Sequence, residues 1–230
     1  MSVAESRPLH LTLFDLDGTL LPFDSDHAFG EFLIAEGLVD DQGFRRRNDV
    51  FYADYLAERL DMDAYIDFAT AALRPLDHEA ATALAARYVE STVRPRMDDR
   101  ARGLVERHRD AGDLVAIVTA TNDFVTRPIA DLFGVPTLIA TELERDAQGR
   151  VTGRIRGTPA FREGKIERVE RWLEGLGKRL DGFERSTFYS DSTNDLPLLE
   201  RVSHPVATNP GQGLETVARE RGWPVLKLFP

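Results

Sequence analysis

The chain has 230 residues, 39 of them acidic and 29 basic, a formal net charge of −10 and no cysteine. These numbers exclude disulfides, zinc–thiolate sites and a cysteine nucleophile, and no Lys/Arg block forms a nucleic-acid arm. No apolar run approaches the ~20 residues that span a bilayer, and Met1 to Pro8 lacks the apolar stretch of a signal peptide, so a cytoplasmic location is expected.

The first expected element is a strand over Leu9 to Phe14, a short alternating apolar segment that runs into Asp15. Residues 24 to 95 then carry helical apolar spacing almost throughout, broken at Pro75 and Pro95. A helix is predicted over Arg100 to Ala111, ending at Gly112 as its C-terminal stop. Leu114 to Val118 is a continuous apolar run, as in a parallel strand buried on both faces. A helix follows to Phe133, stopping at Gly134, and Val135 to Ala140 is a further strand. Leu143 to Ile155 predicts a hairpin around Ala147-Gln148-Gly149. A helix is expected at 163 to 175, a strand at Thr187 to Ser190, and a helix beginning at Leu196 to Arg201. The last strands are Pro205 to Ala207 and Val225 to Leu228. Alternating strand and helix implies an α/β fold with a Rossmann-like parallel sheet covered on both faces. Residues 1–21 and 96–230 would form that core, and 22–95 an inserted all-helical unit.

Two acidic clusters carry the chemistry. Phe14 to Leu20 reads F-D-L-D-G-T-L, with Asp15 and Asp17 directly after a strand, where open parallel sheets bind ligands. Tyr189 to Asp195 reads Y-S-D-S-T-N-D, with Asp191 and Asp195 one helical turn apart. Each has a structural alternative: a solvated turn for the first, a helix N-cap for the second. If the two strands are neighbours, four carboxylates converge. Two like charges at 4 Å repel by about 4 kcal/mol at an effective dielectric of 20, so such a cluster needs a cation or raised pKa values. All-oxygen donors favour Mg²⁺. Thr119, Ala120, Thr121 and Asn122 lie between a strand and a helix, where a hydroxyl and free amides suit phosphate oxygens. Lys165 stands in the first turn of a helix, against the macrodipole, and calls for a compensating anion. A helix cap and a solvated surface lysine are the plain alternatives for these two.

Taken together, these residues resemble the four signature motifs of the haloacid dehalogenase superfamily of phosphohydrolases, in order and across nearly the whole chain. The helical insertion after the first motif resembles the C1 cap of the phosphoserine-phosphatase-like subfamily. The resemblance implies Asp15 as nucleophile and carrier of an aspartyl-phosphate, and Asp17 as general acid and then base. It implies phosphate binding by Thr119, Ala120 and Lys165, with Asn194 as a further phosphate contact. Mg²⁺ would be held by the Asp15 and Asp191 carboxylates and the Asp17 carbonyl, with Asp195 supporting the metal shell and Lys165.

The expected partner is a small phosphorylated metabolite, neither a nucleic acid nor a membrane. Asp24 occupies the register where phosphoserine phosphatases place an amine-recognising Glu, with Asp26 and His27 nearby; an N-cap is the alternative reading. The subfamily's cap arginine falls near Ala69, which is not an Arg, and Arg45, Arg46 and Arg47 are the substitutes on offer. Histidinol phosphate therefore fits at least as well as phosphoserine. A C1-capped phosphotransferase or phosphomutase, or a receiver-like phospho-Asp module, would share the Asp15 chemistry.

Overall fold

The computed structural model describes residues 10–229. Leu9, expected to open the first strand, lies outside the described residues. The strand begins the fold as β1 (His10–Phe14). Four helices follow it: α1 (Ser25–Ala35), α2 (Asp41–Leu56), α3 (Met62–Ala69) and α4 (His78–Tyr88). An aspartate caps each of them: Asp24, Asp40, Asp61 and Asp77 accept the backbone N–H three residues on. Such a cap satisfies an N–H that the helix itself leaves without a partner. A π-helical turn (Val89–Val93) and a 3₁₀ turn (Arg94–Arg96) lead back towards the sheet.

The alternating half follows: α5 (Asp99–Asp110), β2 (Leu114–Asn122), α6 (Asp123–Leu132) and β3 (Leu138–Thr141). The hairpin is β4 (Leu143–Arg145) and β5 (Val151–Ile155), followed by α7 (Glu163–Gly175) and β6 (Arg185–Ser190). A 3₁₀ turn (Thr193–Asp195) precedes α8 (Leu196–Leu199), and β7 (His204–Thr208), α9 (Gln212–Arg221) and β8 (Val225–Leu226) complete the chain. Gly112 ends α5 as expected. Its φ of +82° is open to glycine at little cost, and its N–H reaches the Arg109 carbonyl at 2.9 Å.

Six strands form one parallel sheet in the order β3-β2-β1-β6-β7-β8, while β4 and β5 form a separate antiparallel pair. The α/β expectation holds. Side chains alternate across β1 and β2, and both faces are buried. Leu11, Leu13, Ala116 and Val118 pack on one side with Val169, Leu173, Leu198 and Leu214 of α7, α8 and α9. Phe14, Val115 and Ile117 pack on the other with Leu104 and Val105 of α5, Ile129 of α6, and Phe29, Leu33 and Tyr88 of the inserted helices. Each such buried side chain is worth about 1.5–3 kcal/mol.

Three of the boundaries that move have a local cause. β2 runs to Asn122 rather than Val118, because pairing with β3 resumes at Asn122–Thr141 after an irregularity. β3 begins at Leu138 instead of Val135: Pro136 has no N–H to give a ladder. β8 stops at Leu226, and the amides of Leu228 and Phe229 are claimed by the Asn209 side chain.

Candidate active site

The chain reverses its winding direction at β1, which has β2 on one side and β6 on the other. Ligands of open α/β sheets bind at such a switch point, beyond the carboxyl ends of the strands. Asp15 follows β1 and Asp191 follows β6, and the two strands are direct neighbours with Phe14 opposite Tyr189. The Asp15 N–H still donates to the Tyr189 carbonyl (2.9 Å), which fixes where its side chain leaves the sheet.

Lys165 is the cation of the cluster. It is only 2% exposed, so it is no solvated surface lysine. Its Nζ donates to Asp15 Oδ1 (2.8 Å) and Asp195 Oδ2 (2.8 Å), the compensating anions that its place in the first turn of α7 requires. Ser190 Oγ donates to Asp195 Oδ2 (2.7 Å) and holds it in place. Thr19 Oγ1 faces both Asp15 Oδ2 (3.4 Å) and Asp191 Oδ1 (3.2 Å). Asp191 and Asp195 do not share one helix: Asp191 precedes the 3₁₀ turn and Asp195 closes it, and they serve different partners.

Asp17 is held from both sides. Its Oδ1 accepts from the Ser25 N–H at the start of α1 (2.8 Å), and its Oδ2 from Thr121 Oγ1 (2.8 Å). Thr119, 1% exposed, accepts the Thr121 N–H on its hydroxyl (3.2 Å). Asn122 does cap α6, through the Val125 N–H, and its amide also donates to Asp26 (3.2 Å).

A cavity opens in front of Asp15 and Asp17 and is also lined by Asp24, Thr119, Ala120 and Thr121. Its outer wall comes from the inserted helices: Asp26, His27, Asn48, Phe51, Tyr52, Tyr55 and Tyr65. Asp24 caps α1 through the His27 N–H (2.7 Å) and lines the cavity as well. No Lys or Arg lines the cavity among the described residues. Arg45, Arg46 and Arg47 are exposed: Arg45 pairs with Glu31 and Asp41, and Arg47 stacks over Phe68. Asn194, expected at the phosphate, is not among the lining residues; its side chain bonds the Tyr55 carbonyl (3.3 Å) and the Arg162 guanidinium (3.3 Å).

Burial in this acidic company raises the carboxyl pKa values. Asp15 rises to about 7, by burial and against the pull of Lys165. Asp17 rises to about 7, by burial and by the charge of Asp24, against its Ser25 and Thr121 hydrogen bonds. Asp24 rises to about 6 and Asp26 to about 7, chiefly by burial. Asp191 rises well above the usual range through burial, Asp15 and Asp195. Burial opposes the charge on Lys165, but Asp15 and Asp195 outweigh it and raise its pKa. Asp15 and Asp195 thus share a single ammonium.

The donor set fits a hard divalent cation. Gly18 has φ +72°, and a Cβ there would sit 2.3 Å from Asp191 Oδ2, so only glycine lets the Asp191 carboxylate lie against this turn beside Asp15. Asp15 and Asp191 would hold the ion with the Asp17 carbonyl. Among the described residues no three His, Cys, Asp or Glu side chains converge as a closed cage, and this set needs only two carboxylates.

Three supports carry no local sequence signal of their role: Thr121, near the end of β2, Ser190, at the end of β6, and Asn209, which follows β7. Asn209 Nδ2 in fact donates to the Gly18 and Thr19 carbonyls (2.9 and 3.3 Å), while its Oδ1 accepts from Leu228 and Phe229. Its φ of +47°, a conformation Asn tolerates, aims it there.

The model of the haloacid dehalogenase-like hydrolase family matches residues 12–200. The chain belongs to this family, and within it stands with the phosphomonoesterases. It is 43% identical over 219 residues to a histidinol-phosphatase of Neisseria meningitidis serogroup C (strain 8013), covering 95% of this chain and 99% of the relative. A crystal structure of a protein with unknown function from Bordetella pertussis Tohama I superposes with a TM-score of 0.91 at 46% identity, covering 97% of this chain and all of that one. A substrate-bound phosphoserine phosphatase shares the fold, with a TM-score of 0.66 at 16% identity over 96% of this chain and 94% of the other. No helix among the described residues is long and apolar enough to cross a membrane.

Proposed function

We propose that the protein hydrolyses a small, amine-bearing phosphomonoester through an aspartyl-phosphate on Asp15, with Mg²⁺ bound beside it. The observation that carries this reading is the buried Lys165 bridging Asp15 and Asp195, next to Asp191 and under the cavity. The Asp15 carboxylate attacks phosphorus, and the bond from phosphorus to the ester oxygen breaks. Asp17 gives its proton to the leaving alcohol. It then takes a proton from water, whose oxygen attacks phosphorus and frees Asp15. Lys165, the Thr119 hydroxyl and the amides of the Thr119–Thr121 loop neutralise the phosphoryl oxygens. The bound cation supplies the rest of the neutralisation. A pKa near 7 keeps part of Asp17 protonated at neutral pH, as its first step requires. Residues 22–95 act as a cap over a core of 1–21 and 96–230, and a cytoplasmic setting suits a metabolite substrate.

Asp24 and Asp26 place negative charge where the alcohol would lie, while Phe51, Tyr52, Tyr55 and Tyr65 provide aromatic walls. An ammonium and a flat ring suit that lining. A free carboxylate would face two acids with no Lys or Arg to meet it, which favours histidinol phosphate over phosphoserine. The 43% identical histidinol-phosphatase supports the same choice. The test is a panel of phosphorylated metabolites with Mg²⁺, beside a generic aryl phosphate. Histidinol phosphate should be cleaved with the highest kcat/KM, and Asp24→Asn should weaken that substrate more than the aryl ester. Asp15→Asn should abolish both reactions; substantial activity in that variant would sink the mechanism. Transfer to an alcohol instead of water would reassign the enzyme as a phosphotransferase.

A further inference from the structure

Arg162 has φ +51° and ψ −122°, and the Gly164 N–H donates to the Phe161 carbonyl (2.9 Å). Residues 161–164 thus form a type II′ turn with Arg162 in the position that glycine dominates. Glu58, just after α2, also has positive φ, at +58°. These two residues, 104 apart in sequence, touch. The Arg162 guanidinium donates to the Glu58 carbonyl and, at 3.4 Å, to its carboxylate. Thr193 Oγ1 donates to the other Glu58 oxygen (2.6 Å). Asn194 joins in from the same turn, accepting from Arg162 Nε and donating to the Tyr55 carbonyl. The Tyr55 ring lies 6.1 Å from that of Phe161.

The end of α2 is therefore tied to two core loops, the one that leads into Lys165 and the one that ends in Asp195. The Glu58 conformation closes α2, with its own N–H on the Tyr55 carbonyl (3.1 Å) and the Arg59 N–H on the Asp54 carbonyl (2.9 Å), and so fixes where the Glu58 carbonyl and carboxylate point. We propose that Arg162, Glu58 and Asn194 are positioning residues that hold the inserted helices down over Asp15 during phosphoryl transfer. The Arg162 and Thr193 contacts with Glu58 are exposed to solvent, so the closed state is held by a small margin and the helices can lift for the alcohol to leave. The catalytic consequence rests on the phosphatase reading above; the contact itself does not.

Arg162→Gly is the decisive variant. Glycine takes the turn without strain, so the fold is kept while the guanidinium is lost. Hydrogen exchange at the amides of residues 55–61 should quicken about tenfold, the scale of one charged hydrogen bond, with the α7 interior unchanged. KM for the amine-bearing substrate should rise by a similar factor, Tm should hold or increase, and Arg162→Lys should recover part of the loss. Glu58→Ala should reproduce the exchange change and add little when combined with Arg162→Gly. Unchanged exchange at residues 55–61, or a Tm effect with unaltered kinetics, would overturn the proposal. If the wild type cleaves no phosphate ester, the functional reading fails, and the exchange result alone decides the latch.

Discussion

Gly18→Ala perturbs the site through one methyl group. The added Cβ would lie 2.3 Å from Asp191 Oδ2, whereas ordinary contact begins near 3.4 Å, so the carboxylate must retreat by about 1 Å. The turn cannot yield instead, because the Asn209 amide grips the Gly18 and Thr19 carbonyls. The φ of +72° adds a separate cost of about 1 kcal/mol for an L-residue, which corresponds to a Tm fall of about 2–4 °C for a chain of this size. A 1 Å displacement of a group in the reacting constellation costs on the order of 10²-fold in rate. The expected phenotype is a small thermal shift with a large catalytic one, and a higher Mg²⁺ concentration for half-maximal rate. The assay is aryl phosphate turnover across a Mg²⁺ titration, beside a thermal melt of the same sample. Activity within threefold of wild type, together with the expected Tm shift, would mean that Asp191 is not a metal ligand and would refute the assignment.

Three further outcomes follow from the same geometry. Lys165→Met leaves Asp15 and Asp195 without their buried ammonium, which should cost about 3–5 kcal/mol of stability on breaking the pair, read by urea denaturation at neutral pH, and should abolish turnover. Asp17 must be protonated to serve as acid and its pKa lies at about 7, so kcat/KM should fall as pH rises through that value; Asp17→Asn should lack this limb, and a profile unchanged in the variant would count against the role. Asp26 is raised from 3.8 to about 7 by burial, so the folded state holds its proton more tightly than the unfolded chain. The stability this confers is complete below pH 3.8 and is lost as pH rises through about 7. Asp26→Asn should therefore flatten stability across that window in denaturation at several pH values; an unchanged slope would contradict the burial account.

The sequence alone determined the scaffold and marked out the carboxylates proposed to react. Asp15, Asp17, Asp191 and Asp195 were legible because each pair directly follows an apolar strand, and a parallel sheet delivers the ends of neighbouring strands to one edge. Lys165 stood out because a cation in a first turn demands an anion. Tertiary structure decided what surrounds them. Thr121 reaches Asp17 across 104 residues, Asn209 reaches Gly18 across 191, and Asn194 turns to Tyr55 across 139. No local spacing encodes such contacts, since they depend on which strands pair and on where the inserted helices land. The alcohol end of the cavity belongs to the same class. Arg45, Arg46 and Arg47 stood as candidates for a substrate carboxylate until the packing of α2 put them on the exterior. Their absence from the cavity, with Asp24 and Asp26 present, is what tilts the substrate reading towards an amine without a carboxylate.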